Sequence, residues 1–207
     1  MKTGNASRPR ARNRTFSGRV ESLEARTLLN ATIDVDATGR LTYQTDPGAA
    51  STVRVSEVAG VYTFAVGAAD ASIDVTGNAA GLVVTGNGTR SVAVTGPSAL
   101  EIDALADSDS ILLASAGVPA AIAVWANDVA VTVGDAADPR GLGALPASVV
   151  VAGSPTSSGG RLVVDDSGWQ SPYHWPTPVQ YTYFRLTNDS VTSRDGVGVL
   201  SYSGLSA

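Results

Sequence analysis

Five aspartates in two short stretches are the first residues of this sequence that could do chemistry. Asp103, Asp107 and Asp109 fall within "EIDALADSDS", and Asp165 and Asp166 within "VVDDSG". Closely spaced carboxylates suit a hard cation such as calcium, which gathers about six to eight oxygens. Carboxylate pairs also serve glycoside cleavage, but only when the fold sets their separation, which spacing along a chain does not report. Neither stretch matches an EF-hand loop or the calcium-binding nonapeptide of β-rolls. The residues themselves therefore read as acidic turns that cap short strands, and neither a metal nor a cofactor is expected.

His174 is the one histidine. A Ser-His-Asp triad would have to use it, yet the chain has no G-x-S-x-G elbow and His174 sits in the Pro-rich stretch "SPYHWPTP". One His and no Cys also leave transition-metal binding without a ligand set. No catalytic residue is assigned, and the chain reads as a non-enzyme. Around His174 half of the aromatic residues are gathered: Trp169, Tyr173, Trp175, Tyr181, Tyr183 and Phe184. Trp169, Tyr173 and Trp175 would suit stacking on sugar rings. The same side chains would equally serve as a cap over an open end of a β-structure.

The elements that position these residues are short. From Thr32 onward, apolar bursts such as "TVRVS", "VYTFAV", "LEID", "ILLA", "IAVW" and "VAVTV" are cut by Gly, Asn, Asp or Pro, and no window is long and periodic enough for a core helix. The fold class is all-β. Three bursts look alike, with Val-Thr-Gly units beginning at Val75, Val84 and Val94, which directs attention to repeat architectures. Short strands, many Ala and Val and few aromatics favour a parallel β-helix, or β-solenoid, whose narrow coils turn at Gly, Asn and Asp corners. The alternative is a β-sandwich, which the same turn signals describe. Residues 32–207 form this body, with 136–160, rich in Pro and Ser, as either a corner loop or an interruption. "VQYTYFRL" and "GVGVLSYSGL" close the chain as strands.

Charge separates a leader from the body. Residues 1–31 carry seven basic side chains (Lys2, Arg8, Arg10, Arg12, Arg14, Arg19 and Arg26) against Glu21 and Glu24, which leaves seven basic against seventeen acidic residues, a net of −10, in the remainder. An acidic body of that size repels a phosphate backbone, so nucleic acid is not an expected partner. No apolar run approaches the roughly 18 residues of a transmembrane helix, and the leader lacks the apolar core of about 7 to 15 residues of a standard signal peptide. Met1 to Gly18 is polar, basic and expected to be disordered. In "RVESLEARTLLNA" the acidic residues come early and Arg26 late, which suits a short amphipathic helix, with a frayed turn as the alternative.

"ESLEARTLLNA" resembles the N-terminal motif written LEPR-xLL that opens many exported or cell-surface proteins of planctomycete bacteria. Leu23, Glu24, Arg26, Leu28 and Leu29 match it, and Ala25 stands where the motif has Pro. "LVVDDSG", followed by "YTYFRLTNDSVTSRDGVGVLSYSGL", is similar to a repeat unit of the same kind of protein. The resemblance implies export or surface display, a solenoid-like body and no particular activity. The expected function is therefore a structural or adhesive surface protein, a short or truncated member of a β-repeat family. A polysaccharide-binding module or a carbohydrate-active β-helix enzyme is the alternative. Expected partners are cell-envelope components, polysaccharide, or further copies of the chain through an open solenoid end.

Overall fold

A computed structural model describes residues 30–48, 50–67, 72–138, 142, 145, 148–153, 160–167, 184–186, 190–193 and 199–203. Residues 1–29 of the leader, with most of its expected helix and the motif residues Leu23, Glu24, Arg26, Leu28 and Leu29, lie outside them, as do Trp169, Tyr173, His174 and Trp175, while Asn30 and Ala31, expected in the leader, begin the first strand.

The chain is all-β. In order it forms β1 (Asn30–Val35), β2 (Arg40–Gln44), β3 (Thr52–Val58), β4 (Val61–Val66), β5 (Ser72–Gly77), β6 (Val83–Thr85), β7 (Ser91–Thr95) and β8 (Ala99–Ala104). It continues through β9 (Ser110–Leu113), β10 (Ala120–Val124), β11 (Ala130–Val133), β12 (Val149–Gly153), β13 (Arg161–Val164), β14 (Phe184–Leu186), β15 (Ser190–Ser193) and β16 (Val199–Ser203). Most bursts become strands because their alternate residues are apolar and largely β-branched, so one face of the pleat can be buried while the other stays wet; β6 is an exception, with Val83 and Val84 both exposed. "ALEIDA" is typical: Leu100, Ile102 and Ala104 are buried, and Ala99, Glu101 and Asp103 face outward.

Two mixed sheets result. The first runs β14-β15-β16-β12-β10-β8-β2-β1-β5 and the second β13-β11-β9-β3-β4-β7-β6. Their centres are parallel. β2, β8, β10, β12 and β16 align Leu41, Leu100, Ala120, Val149 and Leu200 in one inward row, and Tyr43, Ile102, Ile122, Val151 and Tyr202 in the next. In the second sheet β3, β9, β11 and β13 align Val53, Ile111, Val131 and Leu162, then Val55, Leu113, Val133 and Val164. The chain alternates between sheets from β8 to β13, and Ile102 pairs with Ile122, as Ile111 does with Val131, twenty positions on. The two inner faces share one hydrophobic core. Across it the Tyr43 and Phe64 rings stack with centroids 5.8 Å apart and planes 11° from parallel. Each Ile, Leu or Val buried in these rows contributes about 1.5–3 kcal/mol of transfer free energy.

The three Val-Thr-Gly units do not stack on one another as successive parallel coil sides. β5 lies parallel to β1 in the first sheet, whereas β6 and β7 pair antiparallel in the second, with Val84 opposite Val94. The reason is the short link between them: Thr89 donates its backbone N–H to the Gly86 carbonyl at 3.0 Å. A connection this tight returns the chain beside itself, whereas parallel neighbours need a longer crossover. The glycines of all three units nevertheless serve as corners, with φ of 75°, 82° and 76° at Gly77, Gly86 and Gly96. Within 136–160, β12 pairs in parallel register with both β10 and β16, so the first sheet continues through that stretch. Of "VQYTYFRL", the strand described is Phe184–Leu186.

Candidate functional site

The fold sets the two aspartate stretches apart, Asp107 and Asp109 before the start of β9 and Asp165 and Asp166 after the end of β13, which runs parallel to it two strands away. Asp109 is buried at the turn from β8 to β9. Its Oδ2 accepts the Thr45 hydroxyl at 2.6 Å and the Ala106 N–H at 3.1 Å, and its Oδ1 accepts the Ser51 N–H at 2.8 Å. Thr45 in turn accepts the Leu105 N–H at 2.8 Å. This cluster ties the β2–β3 turn to the β8–β9 turn stacked on it. Asp107, exposed on the same turn, accepts the Asn127 N–H at 2.8 Å and so ties the β8–β9 turn to the β10–β11 turn. Ser108 and Asp128, twenty positions apart on those two turns, both have positive φ, at 66° and 56°.

Asp165 and Asp166 follow β13, at the other side of the second sheet. Asp165 Oδ1 accepts the Ser167 hydroxyl at 2.6 Å and its N–H at 2.9 Å. The Ser167 hydroxyl, then the Ser167 N–H, hold the Asp165 carboxyl below the usual carboxylate range. Asp166 accepts the Leu142 N–H at 2.7 Å. These carboxylates do the work of turns, in the manner of side chains that take the place of a backbone acceptor. Among the described residues no group of three or more His, Cys, Asp or Glu side chains is arranged to hold a metal ion.

A second polar cluster lines a shallow depression of about 420 Å³ beside β3, bounded by Arg54, Glu57, Ser115, Asp135 and Asp138 among others. Arg54 reaches from β3 across β9 to form an ion pair with Asp135 after β11. The Ala137 N–H, and after it Arg54, hold the Asp135 carboxyl below its ordinary range against the opposing effect of burial. On the adjoining turn the Tyr62 hydroxyl accepts the Gly117 and Val118 N–H groups at 2.6 and 2.8 Å. Burial pushes the phenol up. Ser115 exchanges hydrogen bonds with the backbone of Glu57 at 2.7 and 3.1 Å. The Ser115 bonds link β3 to the chain just after its neighbour β9, and the Arg54–Asp135 pair spans β9 to reach the end of β11.

Asp103 differs in that it lies on the outer face of the first sheet. Its register places it in an outward row with Gln44, Ala123 and Ala152. Gln44 Nε2 donates to Asp103 Oδ2 at 3.3 Å, and the Trp125 indole N–H donates to Oδ1 at 3.4 Å. Trp125 follows β10 on the same outward alternation as Ala121 and Ala123, and it is 57% exposed. On the same face Arg40, two positions before Thr42, the register partner of Glu101, forms a diagonal ion pair with Glu101. Trp125 was not among the expected contact residues; the signal for it was the outward phase of "AAIAVW", in which the buried positions are Ala120, Ile122 and Val124.

The chain matches no protein family model, no curated protein and no solved structure. No helix among the described residues is long and apolar enough to cross a membrane.

Proposed function

We propose that this chain is a non-enzymatic, exported surface protein of structural or adhesive kind, in which the parallel strand passes are the coils of a β-solenoid displayed behind a basic, LEPR-xLL-like leader. The observation that carries this reading is the use made of the carboxylates. Asp107, Asp109, Asp135, Asp165 and Asp166 each hold a turn or clamp one pass to another. These five carboxylates thus serve the scaffold. Alternation between two sheets, with in-register pairing twenty positions on, supports the solenoid part of the proposal. Such a body grows by adding passes, which suits a stalk or a display surface.

Localisation tests the functional part. The full chain, and a version lacking residues 1–30, are fused to a reporter in a planctomycete host and the cells fractionated. Export of the full chain alone is the expected result. Retention of both in the cytoplasm would overturn the reading.

A further inference from the structure

We propose that Trp125, with Asp103 and Gln44, forms a stacking subsite for a neutral saccharide on the outer face of the first sheet. This deepens the adhesive reading, on which it rests for its setting at the cell exterior. A Trp that packs for stability turns its ring inward, yet Trp125 leaves most of its surface in water while its neighbours Val124 and Ile122 fill the core. The indole N–H is directed at Asp103 Oδ1, 3.4 Å away, and Gln44 from the adjacent strand donates to Asp103 Oδ2 at 3.3 Å. An aromatic face thus lies beside a carboxylate and an amide. Next to it the floor is made of small side chains, Ala123 and Ala152, on neighbouring strands about 4.8 Å apart.

That combination fits a pyranose ring. One face of a sugar presents C–H groups that pack on an aromatic ring, while the hydroxyls at its rim need acceptors and donors within reach. A carboxylate has about four acceptor sites, and the two bonds from Gln44 and Trp125 leave room on Asp103 for hydroxyl donors. The small Ala123 and Ala152 side chains leave room beside Trp125 for a neighbouring sugar of the same chain. Charge selects among saccharides. Asp103, with Asp107 on the adjoining turn, makes the surroundings acidic, so a uronate polymer is repelled and a neutral one is not.

The test uses the full-length protein with Trp169→Phe and Trp175→Phe, which leaves Trp125 as the only indole. Cellohexaose and chitohexaose are titrated while its fluorescence is followed, with polygalacturonate as the anionic control. We expect saturable quenching by at least one neutral hexasaccharide and none by polygalacturonate. In the otherwise wild-type chain, Trp125→Ala should weaken binding by about tenfold or more and Asp103→Ala by several-fold, read by calorimetry, with the β-sheet circular dichroism unchanged. No binding of either neutral probe would overturn the subsite, as would binding that Trp125→Ala leaves intact. So would Trp125→Ala dispersing an oligomer, which would make a second copy the occupant. The binding assay does not depend on export, so failure of the localisation test and failure of the subsite are distinguishable.

Discussion

Removing the Asp109 carboxylate tests whether buried acidic turns hold the strand passes together. Asp109→Ala leaves three buried donors, the Thr45 hydroxyl and the N–H groups of Ser51 and Ala106, without this acceptor. Each orphaned donor costs about 1–3 kcal/mol, and water entering the vacated space returns part of that. We expect a net loss of about 3–5 kcal/mol, within the range for breaking a buried charged network, or a drop in Tm of about 6–20 °C for a chain of this size. Asp109→Val should be no better than Ala. Val129 does occupy the equivalent place on the next pass, where Arg161 donates to its carbonyl as Ala130 does to that of Asp109, but a Val at 109 still gives the three donors nothing. Asp109→Asn is the sharper probe. Either orientation of the amide turns its NH2 toward a backbone N–H, that of Ser51 or that of Ala106, so the near-isosteric change should still cost about 1–3 kcal/mol. Urea unfolding of these variants, with Thr45→Val as the partner in a double-mutant cycle, measures the coupling. A loss under about 1 kcal/mol for Asp109→Ala, or an Asn variant as stable as the wild type, would refute the reasoning.

Two further expectations follow from the corners and the paired carboxylates. Gly77 and Gly96 both have positive φ, but a Cβ at Gly77 would lie 2.1 Å from the Val35 carbonyl oxygen, whereas none of its surroundings come within 4 Å at Gly96. Gly96→Ala should therefore cost only the left-handed penalty of about 1–2 kcal/mol, and Gly77→Ala distinctly more; equal Tm losses would show that the β1–β5 contact does not constrain this corner. Asp135 and Asp165 have carboxyls held below their ordinary range, so the stability they add is present at neutral pH. It is lost as the pH falls below about 4 and through their folded-state values. The urea midpoint should stay level from pH 7 to about 5 and then decline, less steeply in Asp135→Asn; a midpoint unchanged down to about pH 2 would remove the linkage.

Several features were legible in the residues alone. Alternation in "ALEIDA" and "VYTFAV" marks strands with one buried face, because a pleat turns successive side chains to opposite sides. Gly after Val-Thr marks corners, because glycine tolerates positive φ. Aspartates between bursts mark turns, because their oxygens reach nearby N–H groups. Other features were hidden. "LADSDSILL" and "WANDVAVTV" lie stacked in register yet have only Ala106 and Ala126 in common. Backbone hydrogen bonds and inward shape set that pairing, and neither demands the same side chain. Of the more conspicuous Val-Thr-Gly units, the two on β6 and β7 are made antiparallel by a short link, and the one on β5 lies parallel to β1 in the other sheet.

The sequence by itself determined the class of structure: all-β, short strands, polar and glycine corners, an acidic body behind a basic leader. These depend on composition and local periodicity, which each stretch carries within itself. Only the tertiary structure decided which strands are neighbours, that Asp109 is buried while Asp103 faces water, and that Trp125 stands beside Asp103 and Gln44. Those facts join residues as far apart as Gln44 and Trp125, and they follow from the register between strand passes, a property of the assembled sheets that no single stretch contains.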